Sequence, residues 1–79
     1  MKVQVLSFGV LKEWLGAAES TVELPEGATV VQLLERLNAL RPSPLQRGIA
    51  VSVNAEFASV IQVLHAGDEV GLLPPVSGG

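Results

Sequence analysis

The chain has 79 residues, of which 48% are hydrophobic, and a formal net charge of −3. A chain of this length buries about 60% of the surface that its unfolded form exposes, which allows one modest core and excludes a second domain and a deep enclosed active site. The acidic balance argues against nucleic-acid binding, which needs clustered Lys and Arg to neutralise phosphates.

The first element is a strand from Val3 to Phe8, a segment rich in β-branched and aromatic residues. Because side chains alternate between the two faces of a strand, Val3 and Val5 share one face, while Leu6 and Phe8 share the other. We therefore expect one face of this strand to be buried in the core and Phe8 to lie on the opposite face.

Two short elements follow. Leu11, Trp14 and Leu15 have helical spacing, which predicts a single turn of helix with Trp14 as an anchor in the core or at its rim. Residues 21–24 alternate polar and apolar side chains, which predicts a second strand with one wet face. We expect this strand to pair with the first.

The clearest helix begins after Thr29, a good N-cap residue, with Gln32 in the position of a capping box. Its end is predicted at 41–42, because a residue before proline is driven out of the helical region. One apolar stripe along this helix predicts its buried face: Val30, Leu33, Leu34 and Leu37.

The second half begins with a polar loop at 42–48. Alternation over 49–53 then predicts a third strand, which a tight turn at 54–56 ends. Residues 57–64 are apolar but irregular and fit either a short strand or a helical turn. A turn at 66–69 precedes the last strand, at 70–73.

The order of these elements is two strands, one main helix, then two or more strands. A mixed sheet with its single main helix packed across one face is the natural two-layer solution for this order. The sequence thus predicts an α+β domain over residues 1–73 with the β-grasp, or ubiquitin-like, fold.

The chain lacks the residue types that several kinds of chemistry require. The chain has no cysteine and a single histidine, His65, so we predict no metal site and no thiolate nucleophile. The N-terminus lacks the apolar run of a signal peptide, and no apolar stretch approaches the roughly 20 residues that span a bilayer. We expect a cytoplasmic protein with no membrane or nucleic-acid partner.

Residues 74–79 form the predicted extended C-terminal reactive tail, Pro-Pro-Val-Ser-Gly-Gly. Pro74 and Pro75 have no backbone N–H and cannot continue a sheet, so the chain should leave it at Leu73 and reach roughly 20 Å further. Gly78 and Gly79 lack Cβ atoms, so they can enter a narrow channel and leave the terminal carbonyl carbon unhindered.

The motif Gly-Asp-Glu-Val at 67–70, followed by Leu-Leu-Pro-Pro-Val-Ser-Gly-Gly at 72–79, resembles the C-terminus of the molybdopterin synthase small subunit. This family, also called molybdopterin-converting factor subunit 1, consists of ubiquitin-like sulfur carriers. Val-Ser-Val-Asn at 51–54 and the overall length match as well, so the resemblance covers nearly the whole chain. The Leu-Leu pair departs from the family, which often has aromatic residues there.

The resemblance implies a chemistry centred on Gly79. A ubiquitin-activating-type adenylating enzyme would use ATP to convert the terminal carboxylate to an acyl-adenylate, and a sulfur donor protein would turn it into a thiocarboxylate. That sulfur would be donated to cyclic pyranopterin monophosphate, to form the dithiolene of molybdopterin inside the large synthase subunit. The chain would bind no cofactor and would not be catalytic alone, but would act as the sulfur-donating subunit of a heterotetramer.

The resemblance also implies a partner surface. If Val3, Val5, Val70 and Leu72 face the helix, then Phe8 and Leu73 lie on the open face beside the tail. Exposed apolar residues there would form a docking site. The predicted partner-binding residues are those of the open face, Phe8, Phe57 and Leu73, and those of the tail: Pro74, Pro75, Val76, Ser77 and Gly78.

Other readings of the same tail stay open. A sulfur carrier for thiamine or cysteine synthesis would use the same terminal chemistry on a different acceptor. A ubiquitin-like protein modifier would instead form isopeptide bonds with lysines, and a plain binding module would leave its terminus inert.

Overall fold

The computed structural model describes residues 1–40 and 48–75. Within these ranges the chain forms five strands and two helices. In chain order they are Lys2–Ser7 (β1), Val10–Leu15 (α1), Glu19–Glu23 (β2), Val30–Ala39 (α2), Ala50–Val53 (β3), Glu56–Phe57 (β4) and Glu69–Leu73 (β5). The predicted elements are all present, and their ends differ from the predicted ends by a few residues, because backbone pairing with neighbouring strands sets the bounds of a strand.

The strands form one mixed sheet in the order β2-β1-β5-β3-β4. The pair of β1 and β5 is parallel, and the other three pairs are antiparallel. The last strand therefore lies in the centre of the sheet, between the first and the third. With α2 across one face, this confirms the predicted α+β, β-grasp fold.

The core lies between one face of the sheet and α2. From the central strands it takes Val3, Val5, Val70 and Leu72, each at most 1% exposed. From α2 it takes Val30, Leu33 and Leu37, each at most 2% exposed, while Leu34 and Trp14 are partly buried and pack against the cluster. The alternation of the strands and the apolar stripe of the helix are thus confirmed.

The first turn of α2 has partners for its free amides. The Thr29 side chain accepts a hydrogen bond from the Gln32 amide, and the Gln32 side chain accepts one from the Thr29 amide at 2.8 Å, which completes the predicted capping box. The amides of Val30 and Val31 donate to the carbonyl oxygens of residues 62 and 60 at 3.0 and 2.9 Å. Two carbonyl oxygens of the irregular segment 58–64 thus accept hydrogen bonds from the first turn of α2.

The helix α2 ends at Ala39, with Leu40 as its C-cap. The predicted stop at 41–42 and most of the predicted loop at 42–48 lie outside the described residues, which resume at Gly48. Neither of the two structures predicted for 57–64, a short strand or a helical turn, spans it. Only Phe57 belongs to a strand, the two-residue β4, and residues 58–64 are irregular apart from an isolated bridge between Val63 and Thr29. No helix in the described ranges is long and apolar enough to span a bilayer.

Candidate docking face and tail exit

One row of residues crosses the sheet on the face opposite α2. Leu6 of β1 is paired with Gly71 of β5, Gly71 with Ser52 of β3, and Ser52 with Phe57 of β4. In β5 the neighbours of Gly71 are Val70 and Leu72, which point into the core, so this row points the other way. We call this side of the sheet the open face.

A pocket of about 210 Å³ lies on the open face, lined by Phe8, Ser52, Ala55, Phe57 and Leu73. Gly71 lies next to two of these residues, Ser52 and Phe8. A Cβ at Gly71 would overlap with the Ser52 hydroxyl and lie 3.7 Å from a ring carbon of Phe8, so the missing side chain keeps the pocket open. Pockets for small-molecule ligands usually exceed about 300 Å³, so this one suits an inserted side chain better than a metabolite.

The three open-face residues predicted from the sequence meet at this pocket. Phe57 is 82% exposed and Phe8 is 49% exposed, while Leu73 is half-buried at the end of β5. Clustered exposed aromatic and aliphatic side chains are typical of protein–protein contact sites. Their proximity is an observation, while their role in partner binding stays a prediction.

The predicted tail starts beside this pocket. The ladder ends at Leu73, and Pro74 and Pro75 continue outside any strand but are half-buried. The predicted site residues Val76, Ser77, Gly78 and Gly79 lie outside the described residues, so the extended course of the tail and the domain boundary at 73–74 stay predictions. What the structure adds is the starting point of the tail, at the end of the central strand.

An acidic turn lies at the other end of β5. The Asp68 carboxylate accepts hydrogen bonds from the Asn54 side-chain amide at 3.0 Å and from the His65 backbone N–H at 2.8 Å. These two bonds, with the Asn54 bond first, lower the pKa of Asp68 below its usual value, and the nearby His65 ring adds a weaker effect in the same direction. The His65 side chain is 80% exposed, as a surface residue should be.

The Asn54 side chain also links this turn to β5. Its carbonyl oxygen accepts a hydrogen bond from the Glu69 amide at 3.0 Å. The Gly-Asp-Glu motif is therefore joined by hydrogen bonds to the β3–β4 turn, and this links the turn to the start of the central strand. It holds β5 in register at the end remote from the tail.

Three residues of this region were not predicted from the sequence: Ser52 and Ala55, which line the open-face pocket, and Gly71, which lies next to Ser52 and Phe8. Two of them carry a signal in the strand alternation. Ser52 lies between the core residues Val51 and Val53, and Gly71 between core residues of β5, so both belong to the face of Leu73. Ala55 had no such signal, because it reaches the pocket through the conformation of a turn.

The ThiS family matches residues 5–79 of this chain. Among curated relatives, a molybdopterin synthase sulfur carrier subunit of Mycobacterium tuberculosis is 36% identical, over 100% of this chain and 99% of its own length. The protein of the same name from Chlamydomonas reinhardtii is 34% identical, over 100% of both chains.

Solved structures share the fold over nearly the whole chain. SAMP1 of Haloferax volcanii has a TM-score of 0.84 at 31% identity, with 100% of both chains covered. A putative molybdopterin converting factor subunit 1 from Pyrococcus furiosus has a TM-score of 0.83 at 31% identity, covering 96% of this chain and 99% of its own. A chain in the BexX/CysO complex of Amycolatopsis orientalis has a TM-score of 0.67 at 28% identity, with 98% and 99% covered. With a family match over 5–79 and relatives above 30% identity along its full length, this chain belongs to the ThiS family.

Proposed function

We propose that this chain is the sulfur carrier subunit of a molybdopterin synthase. The observation that carries the proposal is that the Pro-Pro-Val-Ser-Gly-Gly ending follows directly in sequence on Leu73, which is the last residue of the central strand β5 and lines an exposed apolar pocket. A carrier needs both features side by side, a terminus that reaches into a partner and a surface that holds the partner in place. The names of its relatives in Mycobacterium tuberculosis and Chlamydomonas reinhardtii support the same function.

The chemistry takes place at the terminal carboxylate of Gly79. A carboxylate is a poor acyl donor, so a ubiquitin-activating-type enzyme first joins it to AMP from ATP and releases pyrophosphate. A donor protein then delivers sulfur at the sulfide level, as a hydrosulfide equivalent, which attacks the acyl carbon and expels AMP; a thiocarboxylate and a proton are the other products. This sulfur is anionic and nucleophilic near neutral pH, as a thiolate is, and attacks cyclic pyranopterin monophosphate. Water then cleaves the bond between the acyl carbon and the sulfur, so the sulfur stays on the pterin and Gly79 returns to a carboxylate. Two such transfers supply the dithiolene sulfurs.

The large synthase subunit docks on the open face and receives the tail in its active site, within a cytoplasmic heterotetramer. Phe8, Phe57 and Leu73 form the contact, and the general acid and base groups come from the large subunit. The carrier itself binds no cofactor, since ATP is bound by the adenylating enzyme. This division of labour suits a chain without cysteine, whose reactive sulfur arrives on the terminus.

Intact-mass analysis of the protein purified from its native cells tests the proposal. We expect a fraction in which one oxygen is replaced by sulfur, and we expect the large synthase subunit to co-purify. A variant that lacks Gly79 should still co-purify, because the open face is unchanged, but should carry no sulfur and support no cofactor synthesis.

The same preparation separates the alternatives. A sulfur-loaded carrier that co-purifies with thiamine or cysteine synthesis enzymes instead would keep the terminal chemistry and refute the molybdopterin assignment. A terminus that never carries sulfur would refute both.

The likeness to SAMP1, a small archaeal modifier protein, favours a second candidate function, protein modification. The activated Gly79 acyl group would then be attacked by lysine amines to form isopeptide bonds. Immunoblots of cell extracts distinguish the two functions. Ladders of higher mass that disappear in the variant lacking Gly79 would support modification, and a single band of the free carrier would not.

A further inference from the structure

The point where the chain leaves the sheet has a glycine on each side. Because β5 runs parallel to β1 and antiparallel to β3, its last residue lies between the end of β1 and the beginning of β3. The residues just beyond those positions are Gly9 and Gly48, with φ angles of 58° and 77°. The tail therefore starts between two backbone segments that present no side chain.

The first two tail residues, Pro74 and Pro75, lie close to these two glycines. A Cβ on Gly9 would lie 3.2 Å from Cγ of Pro74 and 3.8 Å from its Cδ, closer than ordinary van der Waals contact for the first atom. A Cβ on Gly48 would lie 3.5 Å from Cβ of Pro75, which is an ordinary contact. Both prolines are half-buried although neither belongs to a strand. The tighter of the two contacts is the one between Gly9 and Pro74.

We propose that Gly9 is a positioning residue that sets the direction of the reactive tail through its contact with Pro74, an inference that rests on the proposed function. Pro74 approaches Gly9 so closely that a Cβ there would lie 3.2 Å from its Cγ. Because proline fixes its own φ angle, the orientation of this residue is passed on to the residues after it. A tail that already points in the direction required for binding loses less conformational entropy when it enters a partner's active site. It also brings the acyl carbon to the reacting groups in a larger fraction of the docked complexes.

A substitution of Gly9 would test two effects at once, because a side chain at φ 58° strains the backbone as well as displacing Pro74. The prolines offer a cleaner test. The Pro74 atom nearest to the Cβ position of Gly9 is Cγ, at 3.2 Å, which alanine lacks, while Cδ and Cβ lie further away at 3.8 and 3.9 Å. The Pro75 atom nearest to the Cβ position of Gly48 is Cβ, at 3.5 Å, which alanine keeps. Pro74→Ala and Pro75→Ala each remove one proline from the tail, but only the first removes the contact.

The first measurement uses the isolated full-length chain. The ¹⁵N–¹H heteronuclear NOE of Val76 reports how firmly the tail is held beyond the prolines on the picosecond to nanosecond timescale. We expect it to fall clearly in Pro74→Ala and to fall less in Pro75→Ala, with the same melting temperature for both variants. Equal values in the wild type and both variants would overturn the proposal.

The second measurement follows adenylation of the full-length chain by the adenylating enzyme of the same organism, through exchange of pyrophosphate into ATP. A misdirected tail leaves docking intact but lowers the fraction of productive complexes. We therefore expect Pro74→Ala to lower kcat about tenfold with little change in the KM for the carrier, and Pro75→Ala to lower kcat less.

The outcomes separate the inference from the proposed function. If the two variants lose kcat equally, or if Pro74→Ala raises KM with kcat unchanged, the contact with Gly9 does not direct the tail. If the wild-type chain itself supports no pyrophosphate exchange, the proposed function fails. The NOE measurement would still decide whether the contact between Gly9 and Pro74 orders the tail.

Discussion

Two consecutive residues in the turn between β3 and β4 have left-handed backbones, Asn54 with φ 52° and Ala55 with φ 71°. Turns of this type favour Asn followed by Gly, because a Cβ in the left-handed region costs about 1–2 kcal/mol. We expect Ala55→Gly to raise the free energy of unfolding by about 0.5–1 kcal/mol, since the relieved strain exceeds the extra entropy of glycine in the unfolded chain. Urea denaturation measures the change.

The matched control is Ala39→Gly, the same change of side chain at the end of α2, where the backbone is helical. There glycine relieves no strain, so the free energy of unfolding should fall. If Ala55→Gly lowered stability as Ala39→Gly does, the account of strain in this turn would be wrong.

The hydrogen bonds of Asp68 lead to a second prediction, about the free energy of unfolding. The Asp68 carboxylate accepts two hydrogen bonds, from Asn54 and His65. An amide in its place has only one acceptor oxygen, so Asp68→Asn should lower the free energy of unfolding at neutral pH by about 1 kcal/mol. The exposed neighbour Glu69, changed to Gln, removes the same charge and serves as the control.

The loss caused by Asp68→Asn should depend on pH. The folded pKa of Asp68 lies below its usual value of 3.8, so its stabilising effect is complete above that value and is lost as pH falls through the folded pKa. Urea denaturation over a series of pH values should show the wild type and the variant converging in acid. A difference that stays constant down to the lowest pH would contradict this.

At the scale of elements, the two faces of β5 have different surroundings. Leu72 is fully buried in the core, while Leu73 lines the open-face pocket. We expect Leu72→Ala to lower the free energy of unfolding by about 2–5 kcal/mol, because it leaves a cavity. Leu73→Ala should lower it less but weaken binding of the large synthase subunit, measured by titration calorimetry.

These neighbours serve as each other's control, since the residue type, the strand and the substitution are the same. The comparison separates a loss of folding from a loss of docking. If Leu73→Ala destabilised the fold as strongly as Leu72→Ala and left binding unchanged, Leu73 would be a core residue. Its predicted role in docking would then be wrong.

At the scale of the whole molecule, two exposed apolar residues lie on different sides. Phe57 is 82% exposed on the open face, and Ile61 is 77% exposed in the segment whose carbonyls meet the first turn of α2. We expect Phe57→Ser to leave stability almost unchanged and to raise the Kd for the large subunit about tenfold or more. Ile61→Ser should leave the Kd unchanged, because the open face is intact. Equal effects of the two changes on Kd would show that general surface hydrophobicity drives the association.

The strand alternation and the helix stripe determined most of the fold from the sequence alone. Val3, Val5 and the apolar stripe of α2 could be assigned to the core because periods of 2 and 3.6 residues show which side chains share a face. The same parity placed Phe8 and Leu73 together on the other face. The ending Pro-Pro-Val-Ser-Gly-Gly needed no folding to be recognised, since its chemistry is local to the terminus.

Only the tertiary structure decided how distant segments meet. The central position of β5 depends on pairing with strands far away in the chain, and no local pattern encodes which strands become neighbours. Gly71 lies against the pocket residue Ser52 only because the two are partners across the ladder. Gly9 lies next to Pro74 only because β1 and β5 are neighbouring strands. Contacts of this kind arise from packing and not from the local preferences of the chain.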